Sequence, residues 1–223
     1  MSTSKTSYDE PVYGAPAIER DARALLGQVM AYVAVTVAFT ALGAYIGRDL
    51  SGAAGLALFV ASFGCVIGLN VAAARGREQL SIALLFALGL LLGLAVAPVI
   101  ADYANGDPAA LWQAAGATAA FVAALGSYGY ATSRDLSSWG RALFWALLAL
   151  IVFGLVAILV SIPAGNVIYA VLGLGIFGGF TIYDFNRLRR ADDRSAVVVA
   201  TSIFLDIFNV FLLFLNLFGG EPE

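Results

Sequence analysis

Residues 139–160 read WGRALFWALLALIVFGLVAILV, and Arg141 is the one charged residue among them. A helix needs about 20 mostly apolar residues to cross the hydrocarbon core of a bilayer, and this run is long enough. Lipid offers no hydrogen-bonding partner to the backbone, so a segment that crosses it is expected to be helical. The stretch therefore predicts a transmembrane helix.

Six further apolar runs of similar length surround this one. Apolar residues make up 61% of the chain and charged residues 12%, against roughly 25% charged residues in a typical soluble domain. Short connections rich in turn residues, such as Asn105-Gly-Asp-Pro108, separate the runs and make successive helices antiparallel neighbours. The sequence predicts an all-α integral membrane protein whose seven transmembrane helices cover approximately residues 24–46, 52–74, 79–101, 110–131, 139–160, 166–187 and 197–218.

The basic residues indicate how the spans are oriented. Arg48 alone falls on one side of the predicted membrane, and this asymmetry is typical of cytoplasmic loops that retain positive charge. The N-terminus is therefore predicted to be cytoplasmic and the C-terminus outside. The other side holds the remaining basic residues, Lys5, Arg20, Arg23, Arg75, Arg77, Arg134, Arg141, Arg187, Arg189, Arg190 and Arg194.

The predicted organisation has three parts. Residues 1–22 are polar and acidic and are expected to form a disordered cytoplasmic tail, without the features of a signal peptide. Residues 23–218 form the membrane domain, and residues 219–223 form a short tail outside. The Ala- and Gly-rich spans favour the plasma membrane of a bacterium.

Composition excludes several kinds of chemistry. The chain has one cysteine, Cys65, and no histidine, so neither an intramolecular disulfide nor a Cys/His metal site can form. The basic residues are scattered between apolar runs, which does not favour a nucleic-acid partner. The lipid bilayer is the expected partner, no protein partner is indicated, and no bound cofactor is expected.

Two acidic residues lie inside predicted spans. Asp184 lies near the cytoplasmic end of span six, and Asp206 lies about nine residues into span seven. An acid at such a depth costs about 2.5–3.5 kcal/mol on insertion scales and normally faces the bundle interior or a watery cavity. Both aspartates are therefore candidate functional residues.

The two aspartates belong to neighbouring antiparallel spans, so their carboxyl groups are candidates for a pair. Asp184 is roughly 5–9 Å from its helix end and Asp206 roughly 14 Å, so a pair requires an offset or a tilt between the helices. Two like charges in a low dielectric repel, and a pair would hold a shared proton near neutral pH and act as a proton sensor. A second interpretation is that neighbours on the same helix face satisfy each acid separately, namely Thr181, Arg187, Ser202 and Asn209.

Arg75 ends span two on the same predicted side as the aspartates. Its guanidinium has the fork geometry that binds carboxylates, so Arg75 is a candidate bridge between them. A basic residue at a cytoplasmic helix end also serves as a topology signal or an interfacial anchor, and the sequence leaves both roles open.

Several motifs resemble one known family. Tyr183-Asp-Phe-Asn-Arg187 and Leu205-Asp-Ile-Phe-Asn-Val-Phe-Leu212 resemble the signature of the Bax inhibitor-1 family, including its bacterial members. Arg75 and Pro98-Val-Ile-Ala-Asp-Tyr103 also resemble the family pattern. The resemblance extends over about residues 23 to 218.

The resemblance implies a bundle around a central seventh helix and a pore beside that helix, closed by an aspartate pair. The residues at these positions are Asp184 and Asp206, with Arg75 as the arginine that engages the pair. The family is associated with a pH-dependent calcium leak, so the resemblance implies cations and protons as partners, with calcium as the permeant ion and a transient calcium site at the pair. The stretch 61–70 lacks the acid that some bacterial relatives carry in span two.

The leading interpretation is a passive cation leak gated by protons, and thus not an enzyme. An aspartyl intramembrane protease is the alternative, because such enzymes place two aspartates on adjacent spans and one follows a tyrosine, as in Tyr183-Asp184. However, Ile203-Phe-Leu205 precedes Asp206, where those proteases have Gly-x-Gly. A membrane interaction protein without transport is the other alternative.

Overall fold

The computed structural model of the chain describes residues 14–160, 164–192 and 195–219. Over these ranges the chain forms seven α-helices and no strand, which confirms the predicted all-α class. A short 3-10 turn, Gly47–Asp49, follows the first helix. The helices are α1 Gly14–Ile46, α2 Gly52–Ala74, α3 Glu78–Gly106, α4 Pro108–Ala131, α5 Trp139–Val160, α6 Gly165–Leu188 and α7 Ala196–Phe218.

All seven helices are long and apolar enough to span a membrane. Two helices, α1 and α3, are longer than the sequence predicted by more than five residues. Helix α1 begins at Gly14, so residues 14–22, which we assigned to the tail, are helical, and residues 1–13 lie outside the described residues. The last four residues of the predicted outer tail, 220–223, also lie outside them.

Helix α3 continues to Gly106, past the predicted end near residue 101, with Pro98 inside it. Proline is tolerated in membrane helices because neighbouring groups satisfy the backbone carbonyl that it leaves without a donor. The break comes at Asp107, whose side chain accepts a hydrogen bond from the backbone N–H of Ala110. Pro108 occupies the first position of α4, where a missing N–H has no consequence.

Helix α7 is the centre of the bundle. It packs against α1, α2, α3, α4 and α6. In its most apolar window 56% of the residues are buried, against 6% in α5, which packs chiefly on α6. Val199, Ala200 and Ile203 of α7 are fully buried. The central seventh helix is thus confirmed.

Glycines allow two of the helix pairs to approach closely. On α3, a Cβ atom at Gly93 would meet the carbonyl oxygen of Thr40 on α1. On α4, a Cβ atom at Gly129 would meet the carbonyl oxygen of Ile182 on α6. Small residues at such crossings bring backbones together and increase van der Waals contact, which stabilises helix association in lipid.

The helices alternate in direction, so the α2–α3, α4–α5 and α6–α7 connections lie at one end of the bundle. We call this the basic end, because it holds Arg75, Arg77, Arg134 and Arg190. The 3-10 turn and the α3–α4 connection lie at the opposite end. This division follows the charge asymmetry of the sequence.

Candidate functional site

The structure brings Asp184 and Asp206 together. The side chains are hydrogen-bonding partners of each other. Both are buried, with exposed fractions of 4% for Asp184 and 5% for Asp206. Helices α6 and α7, which carry them, pack directly against each other. The carboxyl pair therefore lies in the interior of the bundle and not on its lipid-facing surface.

The contact between Asp184 and Asp206 requires the offset or tilt between their helices that the sequence indicated. Asp184 is four residues from the end of α6 and Asp206 is ten residues from the start of α7. At 1.5 Å per residue these distances are about 6 Å and about 15 Å. The two carboxyl groups meet only because the helices are offset or tilted enough to make up a difference of about 9 Å.

Local donors do not satisfy the aspartates. The Thr181 hydroxyl donates to the carbonyl oxygen of Phe177 at 2.8 Å, and the Asn209 amide donates to that of Leu205 at 2.7 Å. The Ser202 hydroxyl likewise donates to a carbonyl of its own helix, that of Val198. Oδ2 of Asp206 is buried and has no hydrogen-bond partner among the described residues.

The pair needs a proton to exist as a hydrogen-bonded contact. An ionised carboxylate only accepts hydrogen bonds, so one of two bonded carboxyl groups must be protonated. The surroundings favour this state, because Phe185, Ile203 and Phe204 belong to the buried apolar core beside the two aspartates. A second negative charge in such a medium is unfavourable without a cation close by.

Arg187 is the cation whose charge acts on Asp184, three residues earlier on the same helix. Arg75 is placed differently. It caps the C-terminus of α2 and its side chain is exposed. In the described structure no hydrogen bond or ion pair joins Arg75 to either aspartate. The bridge that the resemblance implied is therefore not formed in this conformation.

Asn186 is a buried polar residue that sequence reasoning missed. Its side-chain nitrogen lies 3.3 Å from the carbonyl oxygens of Gly129, Thr132 and Arg134. These carbonyls end α4 and begin the α4–α5 connection, where the helix itself provides no donors. Asn186 is 3% exposed. The sequence did contain a signal for this role, because an uncharged amide stands two residues after the intramembrane Asp184.

Arg190 adds a second link between the same segments. Its Nη1 donates to Oδ1 of Asp135 at 2.8 Å, and its Nη2 donates to the carbonyl oxygen of Arg134 at 2.8 Å. Oδ1 of Asp135 also accepts the backbone N–H of Ser137 at 3.0 Å. These bonds, first those from Ser137 and then that from Arg190, hold the pKa of Asp135 below its ordinary value. We call Asn186, Arg190 and Asp135 together the α4–α6 clasp.

The donor set of the carboxyl pair limits how it can bind a metal ion. Within the described ranges no three His, Cys, Asp or Glu side chains group closely enough to hold a metal. Two carboxylates supply about four oxygens, whereas Ca²⁺ takes roughly 6–8 oxygen ligands. A calcium ion at the pair would keep water or backbone carbonyls among its ligands.

These features define an integral membrane protein of seven helices that buries a carboxyl pair between its last two helices. The family described as "Inhibitor of apoptosis-promoting Bax1" matches residues 22–222. The chain belongs to this family, the Bax inhibitor-1 family.

Relatives come from bacteria and from a virus. An uncharacterized protein of Caulobacter vibrioides is 30% identical over 189 residues, which cover 79% of this chain and 74% of the relative. The inner membrane protein YbhL of Escherichia coli is 26% identical over 177 residues, 74% of each chain. The Golgi anti-apoptotic protein of Vaccinia virus is 32% identical over 163 residues, 73% of this chain and 67% of the relative.

Proposed function

We propose that the protein is a pH-sensitive cation leak channel in which Asp184 and Asp206 form the proton sensor and calcium is the permeant ion. The observation that carries this proposal is the buried contact between two carboxyl groups with one unpartnered oxygen, Oδ2 of Asp206. Intramembrane acids commonly mark ion pathways and proton relays. The proposal also follows from the family resemblance.

The proposed gate depends on the number of protons that the pair holds. With one proton the hydrogen bond joins α6 to α7 and the path beside α7 is closed. Loss of that proton leaves two negative charges in an apolar interior, where they repel each other and attract a cation. A second proton removes the acceptor charge that strengthens the bond. Flux is therefore lowest in the pH range in which the pair holds one proton.

Arg75 enters the proposal as the cation that engages the doubly ionised pair. In the closed conformation its side chain is exposed at the basic end, at the C-cap of α2. Helix α2 packs against α7, so a shift of α7 changes the position of Arg75 relative to Asp206. We further propose that the basic end faces the cytoplasm of a bacterium, as the positive charges favour.

Calcium flux into liposomes that contain the purified protein tests the proposal. Wild-type protein is compared with Asp184→Asn and Asp206→Asn from about pH 5 to about pH 8, the range in which the sequence predicts that a shared proton titrates. An Asn amide donates to the remaining carboxylate in place of the shared proton, so both variants are expected to lose the rise in flux on the alkaline side of the flux minimum. Asp102→Asn is the matched control, because Asp102 is exposed near the opposite end.

Two results would contradict the proposal. Wild-type flux no higher than that of empty liposomes at every pH would exclude the leak itself. Unchanged pH dependence in both Asn variants would exclude the pair as the sensor. If no flux is found, an aspartyl intramembrane protease and a membrane interaction protein without transport become the leading proposals. Cleavage of a model transmembrane substrate distinguishes the first from the second.

A further inference from the structure

A groove of about 850 Å³ runs between α1 and α4. Both helices pack against α7, yet they do not form a packed pair with each other over their described residues. Helix α7 therefore forms the floor of the groove, with Phe204, Ile207, Phe208 and Phe211 on one face of that helix. Asp206 is not among the lining residues.

The lining of the groove is almost entirely apolar. On α4, Ala115, Ala119 and Ala123 repeat every four residues along one face, and their small side chains leave the groove open. Four residues of the lining carry hydroxyls. Those of Thr40 and Thr118 donate to carbonyls of their own helices, and Ser127 and Tyr130 lie near the end of α4 at the basic end. Away from that end the groove offers water few partners.

The groove runs through most of the membrane thickness. Its lining on α1 extends from Leu26 to Ala44, a distance of about 27 Å along the helix axis. The hydrocarbon core of a bilayer is about 30 Å thick. The groove also joins the lipid-facing surface directly, since Val37 in its lining is 40% exposed and Ala119 and Ala123 are exposed.

The apolar lining and the open side toward the bilayer favour a hydrocarbon chain as the occupant. The backbone of an extended peptide would leave unsatisfied N–H and C=O groups against an apolar lining. A hydrocarbon chain is thin and has no polar groups, and the surrounding bilayer supplies it from the open side.

We propose that the groove between α1 and α4 is a binding site for the acyl chain of a membrane phospholipid. The chain lies along the α4 alanines and contacts Ile207 and Phe211 of α7, which are partly exposed, whereas Phe204 and Phe208 in the lining are buried. Phe185, the neighbour of Asp184, also lines the groove. The site is independent of the proposed leak and does not require that the protein conduct ions.

The test uses a phospholipid with a photoactivatable group in its acyl chain, incorporated into liposomes with the full chain. After illumination, lipid adducts are mapped on peptides by mass spectrometry. Adducts are expected to be enriched on the α1 and α4 faces of the groove, relative to α5, which is exposed along most of its length and reports ordinary contact with lipid.

Substitutions that fill the groove provide the matched comparison. Ala119→Phe and Ala123→Phe place a ring in the groove, whereas Ala120→Phe and Ala124→Phe place the same ring at exposed positions outside the lining. The first two variants are expected to reduce groove adducts to the level on α5, and the second two to leave the enrichment intact. Because all four positions are exposed, none of the rings enters the core.

Three outcomes would overturn the site. Groove adducts no more frequent than those on α5 in the wild type would make the groove an ordinary part of the lipid-facing surface. Equal adduct yields in the filled variants and their controls would show that the lipid lies elsewhere. With a photoreactive amino acid at position 119 in place of Ala119, crosslinks to a second copy of the chain and not to lipid would make the groove a protein interface.

Discussion

The side-chain amide of Asn186 on α6 lies 3.3 Å from the carbonyl oxygen of Gly129 on α4. Asn186 is two residues after Asp184 along the chain. The same amide also reaches the carbonyls of Thr132 and Arg134. The end of α4 is thus attached to the segment of α6 that carries one member of the carboxyl pair. Substitutions that weaken this attachment test whether it only supports the structure or also takes part in sensing protons.

Asn186→Ala is expected to destabilise the protein by about 1–3 kcal/mol, because it removes a donor from the carbonyl of the buried Gly129 and from that of Thr132, whereas Arg190 still donates to the carbonyl of Arg134. Asn209→Ala is the control. The Asn209 amide donates to Leu205 within its own helix, where the backbone N–H remains, so the expected loss is about 0.6 kcal/mol. The free energy of unfolding in detergent micelles is measured for both variants. Equal losses would mean that the contacts of Asn186 with the end of α4 stabilise the protein no more than a hydrogen bond within one helix does.

Gly129→Ala is expected to force α4 and α6 apart, because the added Cβ atom meets the backbone carbonyl of Ile182, which cannot rotate away. Overpacking of this kind costs about 1–3 kcal/mol. On the same helix, Gly116→Ala meets nothing within 4 Å and is expected to be neutral or to stabilise by up to about 1 kcal/mol through helix propensity. The thermal unfolding temperatures of the two variants check this. A Gly129→Ala protein as stable as Gly116→Ala would contradict the close approach.

Arg75→Gln tests whether the arginine acts in the open conformation. If Arg75 stabilises the doubly ionised pair, its loss is expected to lower calcium flux above the pH at which flux is lowest. Flux at that pH, where the pair holds one proton, is expected to stay unchanged. Arg77→Gln, two residues away at the same end, controls for the lost positive charge near the membrane surface. Identical flux profiles for the two variants would assign Arg75 a role in topology alone.

Asp135→Asn removes the carboxylate of the α4–α6 clasp. Hydrogen bonds from Ser137 and Arg190 lower the pKa of Asp135 from its ordinary value of 3.8. A carboxyl group with a lowered pKa contributes stability above its unfolded-state pKa, and this contribution is lost only as the pH falls through the folded-state value. The clasp therefore stays intact from about pH 5 to about pH 8 and cannot produce pH dependence there.

The expected result for Asp135→Asn is faster hydrogen exchange in the α4–α5 connection with an unchanged pH profile of flux. Ser138→Ala, in the same connection but outside the clasp, controls for local disturbance. A shift of the flux profile in Asp135→Asn alone would show that the clasp, and not only the carboxyl pair, takes part in sensing protons.

Much of the fold could be predicted from local sequence. The bilayer requires each span to satisfy its own backbone hydrogen bonds, so length and composition identify a helix without knowledge of its neighbours. The predicted spans 52–74 and 139–160 match α2 and α5 at both ends. The end of α3 was not predictable in this way, because the tolerance of a membrane helix for Pro98 depends on the groups packed around it.

The sequence by itself determined that this protein has seven membrane helices, a strong charge asymmetry and two acids in its last two spans, since each of these is a property of one segment. Only the tertiary structure decided which groups meet. The offset that joins Asp184 to Asp206, the reach of Asn186 to the end of α4 and the exposed position of Arg75 depend on how whole helices tilt and pack. Such packing depends on shape complementarity between distant segments, which no single stretch of the sequence contains.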